Sequence, residues 1–137
     1  MRFFDASALV KRYLREPGST SVRRLLARGD VAVSRLSEIE VTSVLARVSR
    51  EGGITTGQRD RAVRAFMTDM SAWTVVELTS EVARGARELL LRHALRSGDA
   101  IQLASSLVLA DSLGGIESFI AHDTRLLDAA RAERLPA

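Results

Sequence analysis

Four acidic residues in this chain are candidates for catalysis or metal binding because of their type and their spacing. They are Asp5, Glu40, Asp99 and Asp123, separated by 35, 59 and 24 residues, and we call them the four acids. An acid near a helix N-terminus is ordinary, because it accepts hydrogen bonds from free N–H groups and meets the positive end of the helix dipole. Glu40, three residues after Ser37, also fits a capping box. Each acid therefore has a purely structural explanation.

Two of the four acids are poorly explained as caps alone. Asp5 follows two phenylalanines, and a charge beside a buried strand costs several kcal/mol unless it is paired or bound to a metal. Asp99 shares a helix face with Leu103, on the side of the helix that should turn inward. An inward acid needs a partner, and the nearest cationic candidates in the sequence are Arg92 and Arg96.

Together the four acids suggest a metal site. If they meet at separations of about 5 Å, each pair repels by roughly 3 kcal/mol at an effective dielectric constant of about 20. Such a cluster must bind protons or divalent cations, and carboxylate oxygens suit Mg²⁺ or Mn²⁺. A carboxylate site that keeps open positions on its metal is suited to phosphate-ester chemistry.

The fold that would bring the four acids together is predicted from alternating short apolar strands and amphipathic helices. The predicted strands are Phe3–Asp5, Val31–Ser34, Trp73–Leu78 and Ser118–Ala121, and the predicted helices are Ala6–Arg15, Ser19–Arg28, Ser37–Arg50, Thr55 to about Ala72, Ser80 to about Arg96, Asp99–Leu113 and Thr124–Glu133. This alternation predicts an α/β fold with a parallel sheet covered on both faces. In such sheets the functional crevice lies at the carboxyl ends of the strands, where the four acids fall.

Composition favours one ordinary globular domain over residues 1–137, with 46% hydrophobic and 27% charged residues. The absence of cysteine excludes a disulfide scaffold, a thiolate zinc site and a cysteine nucleophile. The longest stretch without a charged residue, Ala100–Ala110, is too short to span a bilayer, and the first residues do not resemble a secretory signal. We therefore expect a cytoplasmic protein without a membrane partner. A net charge of +3 permits a polyanionic partner.

Four segments resemble the motifs of PIN-domain proteins and, more narrowly, of VapC-like toxin ribonucleases from toxin–antitoxin pairs. They are the opening stretch from Phe3 to Leu14, Ser37–Glu40, Ser97–Ala104 and Phe119–Leu126. Each motif alone is weakly specific. The ordered set covers essentially the whole chain and is fairly specific.

The resemblance implies a PIN domain with a parallel sheet of four or five strands sandwiched by helices. It assigns the four acids as the catalytic and metal-binding residues, with Ser7 as a hydroxyl supporting a metal-bound water and Mg²⁺ or Mn²⁺ as the cofactor. The implied activity is that of a type II toxin, an endoribonuclease that cleaves RNA with a metal-activated water and leaves a 5′-phosphate. The implied partners are the RNA substrate, a small antitoxin whose segment occupies the active-site groove, and a second copy in a homodimer.

One position departs from the family pattern. The family often has Thr or Ser two residues before the fourth acid, and this chain has Ala121, so a supporting hydroxyl could come from Thr124 instead. The role of Asp123 is the least secure of the four for this reason. The adjacent His122 invites a role as a ligand or general base, but a lone histidine at a strand end is more often a turn residue.

Two other functions remain open at this point. A PIN-like fold could retain its acids as helix caps and bind RNA or a partner without catalysis. A nucleotide-binding or phosphoacceptor α/β domain is less favoured, because the chain lacks a glycine-rich phosphate loop and the paired acids of a receiver domain.

Overall fold

Four short strands form one parallel sheet in the computed structural model, which describes all residues 1–137. The strands are β1 (Arg2–Phe4), β2 (Val31–Ser34), β3 (Thr74–Val76) and β4 (Ser118–Ile120). Their spatial order is β3-β2-β1-β4, and every neighbouring pair is parallel. The parallel α/β fold predicted from the sequence is confirmed.

Seven helices connect and cover these strands. They are α1 (Ala6–Tyr13), α2 (Ser19–Leu26), α3 (Leu36–Arg50), α4 (Thr56–Ala72), α5 (Ser80–Arg92), α6 (Ser97–Leu113) and α7 (Thr124–Ala132). None of them combines the length and the apolar character that crossing a bilayer requires. The order of helices and strands agrees with the prediction throughout.

The alternation of side chains along β1 divides the interior into two hydrophobic cores. Phe3 packs into a core with residues of α5, α6 and α7, and its ring stacks on Phe119 with centroids 5.7 Å apart. Phe4, the next residue, packs into a second core with residues of α1, α2, α3 and α4. Successive side chains of a strand point to opposite faces, so β1 is the central strand between two layers of helices.

The order of the strands creates a crevice at the carboxyl end of β1. From β1 the chain adds β2 and then β3 on one side, and later returns to place β4 on the other side. The pairing of β1 with β4 continues past the strands, because the backbone N–H of Asp5 donates to the carbonyl of Ile120 at 2.9 Å. This reversal is the switch point at which α/β sheets bind their ligands.

Two details of the predicted helices are wrong. Gly98 does not break the chain between two helices, because α6 begins at Ser97 and Asp99 is its third residue. The predicted capping box from Ser37 to Glu40 is absent, since α3 begins at Leu36 and Ser37 is fully buried inside it.

The remaining differences lie at the ends of elements. The strand predicted over Trp73–Leu78 is only Thr74–Val76, since Trp73 instead ends α4. The capping box of Thr55 with Gln58 is confirmed by reciprocal hydrogen bonds of 3.0 and 2.8 Å. Most other helices are one to four residues shorter than predicted at their C-terminal ends. The helix starts next to Asp5 and Asp123 stay where they were predicted.

The stacked phenylalanines give a test of the packing. We expect Phe119→Ala to reduce the free energy of unfolding by about 3–5 kcal/mol, because it leaves a cavity in a fully buried site. Leu91, whose side chain on α5 is 89% exposed, is the control, and its change to alanine should cost less than about 0.5 kcal/mol. Urea unfolding measures both values, and equal losses would contradict the packing described here.

Candidate active site

Asp5 directly follows β1 and caps α1. Asp5 as a whole residue is 4% exposed, and its Oδ2 accepts hydrogen bonds from the Ser7 backbone N–H at 3.1 Å and the Ser7 hydroxyl at 2.5 Å. The Ser7 oxygen also accepts the backbone N–H of His122 at 3.0 Å. Ser7 therefore links the ends of β1 and β4 and fixes the orientation of the Asp5 carboxylate.

Asp123 lies at the end of β4 and caps α7 in a similar way. Its Oδ1 accepts the backbone N–H groups of Arg125 and Leu126 at 3.0 and 3.3 Å. In both caps one carboxylate oxygen takes all of these bonds. Asp5 Oδ1 and Asp123 Oδ2 make no hydrogen bond within the protein. Capping a helix thus leaves each of these acids with one oxygen available to a ligand.

Asp99 projects from the first turn of α6 beside a single weak cationic partner. Its side chain is 21% exposed, and the nearest guanidinium nitrogen, Arg96 Nε, lies 3.8 Å away. Arg92, the other candidate partner in the sequence, instead pairs with Glu133 at 2.8 Å. The Leu103 side of this helix is fully buried, as predicted. Asp99 therefore faces inward with only an exposed arginine near it.

Glu40 reaches the same place from α3. Its Oε1 accepts a hydrogen bond of 2.9 Å from Nε2 of Gln102, a fully buried residue one turn beyond Asp99 on α6. Its Oε2 lies against Gly98, where a β-carbon would stand 3.1 Å from it. The sequence motif containing Gln102 was noted for its acid, and the amide was missed because its partner is 62 residues away.

The four acids line one cavity of about 560 Å³, together with Ser7, Arg47 and Arg96. The convergence that the sequence predicted is therefore present, although the acids come from four separate segments. No three acidic or histidine side chains stand close enough, in these conformations, to hold one metal ion jointly. The acids share the walls of a cavity without forming a closed coordination sphere.

The carboxylates perturb each other in a chain across the cavity. The pKa of Asp5 is raised to about 6, mainly by burial and also by the charges of Glu40 and Asp99, against the lowering effect of the hydrogen bonds from Ser7. Burial also raises the pKa of Asp99, and the charge of Asp123 adds to that rise. Neighbouring carboxylates therefore disfavour one another's ionised forms.

The donor set fits a hard divalent cation. Asp5, Glu40 and Asp123 form no ion pair, and Asp99 has only the long contact to Arg96. Carboxylate oxygens are the ligands that Mg²⁺ and Mn²⁺ prefer, and a bound cation would neutralise charges that the protein leaves unpaired. The free oxygens on the caps supply donors without breaking a helix end.

A second cavity of about 490 Å³ adjoins the first. It is lined by Ala94, Arg96, Asp99, Asp123, Thr124 and Arg125, so the two cavities share three residues. Arg47 borders the first cavity and Arg125 the second. An acidic centre is thus flanked by guanidinium groups, which suit phosphate oxygens.

The other polar residues singled out in the sequence lie outside the larger cavity. The His122 ring packs on the Gly18 turn, where a β-carbon would stand 2.9 Å from Cε1. Burial and the charge of Lys11 lower the pKa of His122. Lys11 itself pairs with Glu16 at 3.1 Å. Thr124 lines only the second cavity, beside Asp123, so any hydroxyl from it would act there.

The chain is similar to known proteins of one family. The family model for the PIN domain matches residues 2–132. Ribonuclease VapC49 of Mycobacterium tuberculosis (strain ATCC 25618 / H37Rv) is 39% identical over 110 residues, covering 80% of this chain and 76% of the relative.

Solved structures have the same fold. The crystal structure of Mycobacterium tuberculosis VapC20, described as a toxin that cleaves the Sarcin-Ricin loop, superposes with a TM-score of 0.69 at 20% identity, covering 94% of this chain and 95% of that one. A toxin–antitoxin complex from Klebsiella pneumoniae gives a TM-score of 0.65 at 16% identity, covering 91% of this chain and 88% of that one.

The buried Asp5 makes stability depend on pH in a specific direction. The pKa of Asp5 rises from 3.8 to about 6 on folding, so the protonated form of Asp5 favours the folded state. This contribution to the free energy of unfolding is complete below about pH 4 and is lost as pH rises through about 6. We expect the stability of Asp5→Asn relative to wild type to increase by about 3 kcal/mol between pH 4 and pH 7.5 in EDTA, because asparagine cannot ionise. Urea unfolding at several pH values measures this difference.

The control is Asp111→Asn, an exposed acid on the same helix as Asp99. The difference in free energy of unfolding between Asp111→Asn and wild-type protein should change little over the same pH range. A pH-independent difference for Asp5→Asn would contradict the burial and repulsion assigned to that carboxylate.

Proposed function

This chain belongs to the PIN-domain family, and we propose that it is a VapC-type toxin that cleaves RNA with Mg²⁺ or Mn²⁺. The observation that carries the proposal is the single cavity lined by the four acids, three of which have no ion pair. The name of the M. tuberculosis relative, Ribonuclease VapC49, supports the reaction class.

We assign the four acids as the residues that would hold the cation. Asp5 and Asp99 are the best candidates for direct ligands, because both face inward into the cavity and the charge of Asp99 helps to raise the pKa of Asp5. Glu40 and Asp123 would complete the site from its two sides. When bound, a divalent cation supplies activation of water and neutralisation of charge on the leaving oxygen.

The chain's own residues contribute position and electrostatics. The Ser7 hydroxyl donates a hydrogen bond to Asp5. Ser7 therefore orients that carboxylate rather than acting as a free base. The cap made by Asp123 holds its carboxylate at the start of α7. The reacting phosphate would then meet a preorganised set of charges, which is how an enzyme lowers the barrier without moving its own groups.

The arginines around the cavity are suited to the RNA backbone. Arg47 lies on one side of the acids, Arg125 on the other, and Arg96 borders both cavities. A phosphodiester strand laid across the acids would place its flanking phosphates against these guanidinium groups. Contacts of this kind position the strand without reading its sequence.

A binding module without catalysis is the alternative, and the caps made by Asp5 and Asp123 are the observation in its favour. Two features count against it. Each cap leaves one oxygen free, and Glu40 caps no helix, since Arg35 is the N-cap of α3. A structural role alone gives no reason to gather these charges around one cavity.

We further propose an antitoxin partner, a homodimer and action in the cytoplasm. The structural likeness to a toxin–antitoxin complex from K. pneumoniae supports the antitoxin, a segment of which would occupy the groove over the acids. Ile39 lies on the cavity rim with 63% of its surface exposed, and it gives such a segment an apolar contact. Exposed parts of α2 and α3 would supply the contact between copies.

The nuclease assignment is tested with single-stranded RNA. Wild-type protein should cleave it in Mg²⁺ or Mn²⁺ and stop in EDTA, and Asp5→Asn and Asp99→Asn should lose at least about 100-fold in rate, because each removes a ligand of the cation. Labelled RNA separated on a denaturing gel measures the rates, and circular dichroism checks the fold of each variant.

Asp111→Asn is the matched control, since it removes the same charge from the exposed part of α6. It should cleave at the wild-type rate. Folded Asp5→Asn and Asp99→Asn proteins that cut as fast as wild type would show that the cleavage comes from a contaminant.

The arginine assignment is tested by the salt dependence of RNA binding in EDTA, where no cleavage occurs. Arg96→Ala and Arg125→Ala should each weaken binding and reduce the slope of log K against log salt by about 0.7, the value for one phosphate contact to a single strand. Arg87→Ala, an exposed arginine on α5 away from both cavities, should leave the slope unchanged. If Arg96→Ala and Arg125→Ala keep the wild-type slope, as the control Arg87→Ala should, then these two arginines do not contact the RNA backbone.

A further inference from the structure

The contact between α3 and α6 contains a buried amide that the proposed chemistry does not use. Gln102 is fully buried, and its Nε2 donates both to Glu40 Oε1 at 2.9 Å and to the Ser37 hydroxyl at 3.0 Å. Its own carbonyl oxygen, Oε1, is buried without a hydrogen-bond partner. An unsatisfied buried carbonyl lowers stability, so an apolar residue of this size would serve a merely structural contact better.

Gly98 holds the other side of the same carboxylate. A β-carbon at this position would lie 3.1 Å from Glu40 Oε2 and 3.6 Å from its Cδ. The carboxylate is therefore fixed by the amide at Oε1 and lies against bare backbone at Oε2. Two residues of α6, one turn apart, thus define where the acid of α3 stands in the cavity.

We propose that Gln102 and Gly98 are positioning residues that set the Glu40 carboxylate for binding a divalent cation. The inference rests on the proposed function, in which Glu40 is one of the residues that would hold the cation. An amide is suited to this task because it donates hydrogen bonds without cancelling the negative charge. A lysine or arginine in its place would neutralise Glu40 and compete with the cation.

The chain offers a direct spectroscopic test. It contains no asparagine and only two glutamines, Gln58 and Gln102, so an ¹⁵N-correlated NMR spectrum has only two side-chain amide pairs. Gln58 belongs to the capping box of α4 and serves as the internal control. In the spectrum of Gln102→Met the amide pair of Gln102 should be missing. Its loss identifies that pair in the wild-type spectrum, and the remaining pair then belongs to Gln58.

Two perturbations should act on the Gln102 pair alone. Glu40→Ala should shift it because one acceptor is lost, and the Gln58 pair should stay in place. Added Mg²⁺ should also shift the Gln102 pair of the wild-type protein, and this response should disappear in Glu40→Ala. A Gln102 pair that responds to neither change would overturn the proposal.

The functional test uses variants that preserve packing. Gln102→Met keeps the length of the side chain and should reduce both Mg²⁺ affinity and cleavage by about 10–100-fold, because it frees the carboxylate. Its melting temperature should stay within a few degrees of wild type, since it also removes the unsatisfied carbonyl. Ser106→Ala is the control on the same helix, a buried hydroxyl bonded only to its own helix at Leu103, and it should be as active as wild type.

Gly98→Ala separates positioning from stability. It should keep or raise the melting temperature, because alanine favours helix over glycine, and yet lower Mg²⁺ affinity, because its methyl group pushes the flexible end of Glu40. In a Glu40→Ala background neither Gly98→Ala nor Gln102→Met should cause a further loss of Mg²⁺ affinity, since both act through the same carboxylate.

The possible failures are distinguishable. If wild-type protein does not cleave RNA, or if Asp99→Asn and Glu40→Ala cleave at the wild-type rate, the proposed function fails. If wild-type protein cleaves, Glu40→Ala does not, and Gln102→Met binds Mg²⁺ and cleaves like wild type, only the positioning role fails.

Discussion

Four carboxylates with almost no cationic partners stand at the carboxyl end of the sheet, and the way this chain folds around them follows from their mutual repulsion. The chain carries 20 basic residues, yet Asp5, Glu40 and Asp123 form no ion pair. The cations nearest in sequence to Asp5 are engaged elsewhere: Arg2 pairs with Glu117, Lys11 with Glu16 and Arg12 with Asp69. A fold that gathers four carboxylates and gives only Asp99 a cationic partner, at 3.8 Å, has a free-energy cost that a bound divalent ion would relieve.

The fold absorbs part of this cost by anchoring three of the four acids with neutral groups. Backbone N–H groups at the starts of α1 and α7 hold one oxygen each of Asp5 and Asp123, and an amide holds Glu40. Hydrogen bonds of this kind stabilise a carboxylate without cancelling its charge. The two cores on either face of β1 then fix the helix ends rigidly, so that the acids cannot move far apart.

The sequence was sufficient to predict the architecture and that the four acids would lie together, and much less so for their local support. Strand and helix order follow from apolar periodicity, and the position of Asp5 after two phenylalanines marked the end of the central strand. The Ser37 capping box was a wrong inference, because Ser37 is buried to meet Gln102, and a contact between residues 65 apart has no local signal. The prediction of Gly98 as a helix breaker is wrong for a similar reason: Gly98 lies inside α6, against the carboxylate of Glu40, an acid from another helix.

The most direct measurement is a crystal structure of the protein grown with Mn²⁺, with data collected at the manganese absorption edge. We expect an anomalous peak inside the cavity lined by the four acids, with Asp5 and Asp99 among the ligands of the manganese ion. A crystal at saturating Mn²⁺ with no peak in that cavity, and with the acids bonded only to their own helix ends, would contradict it.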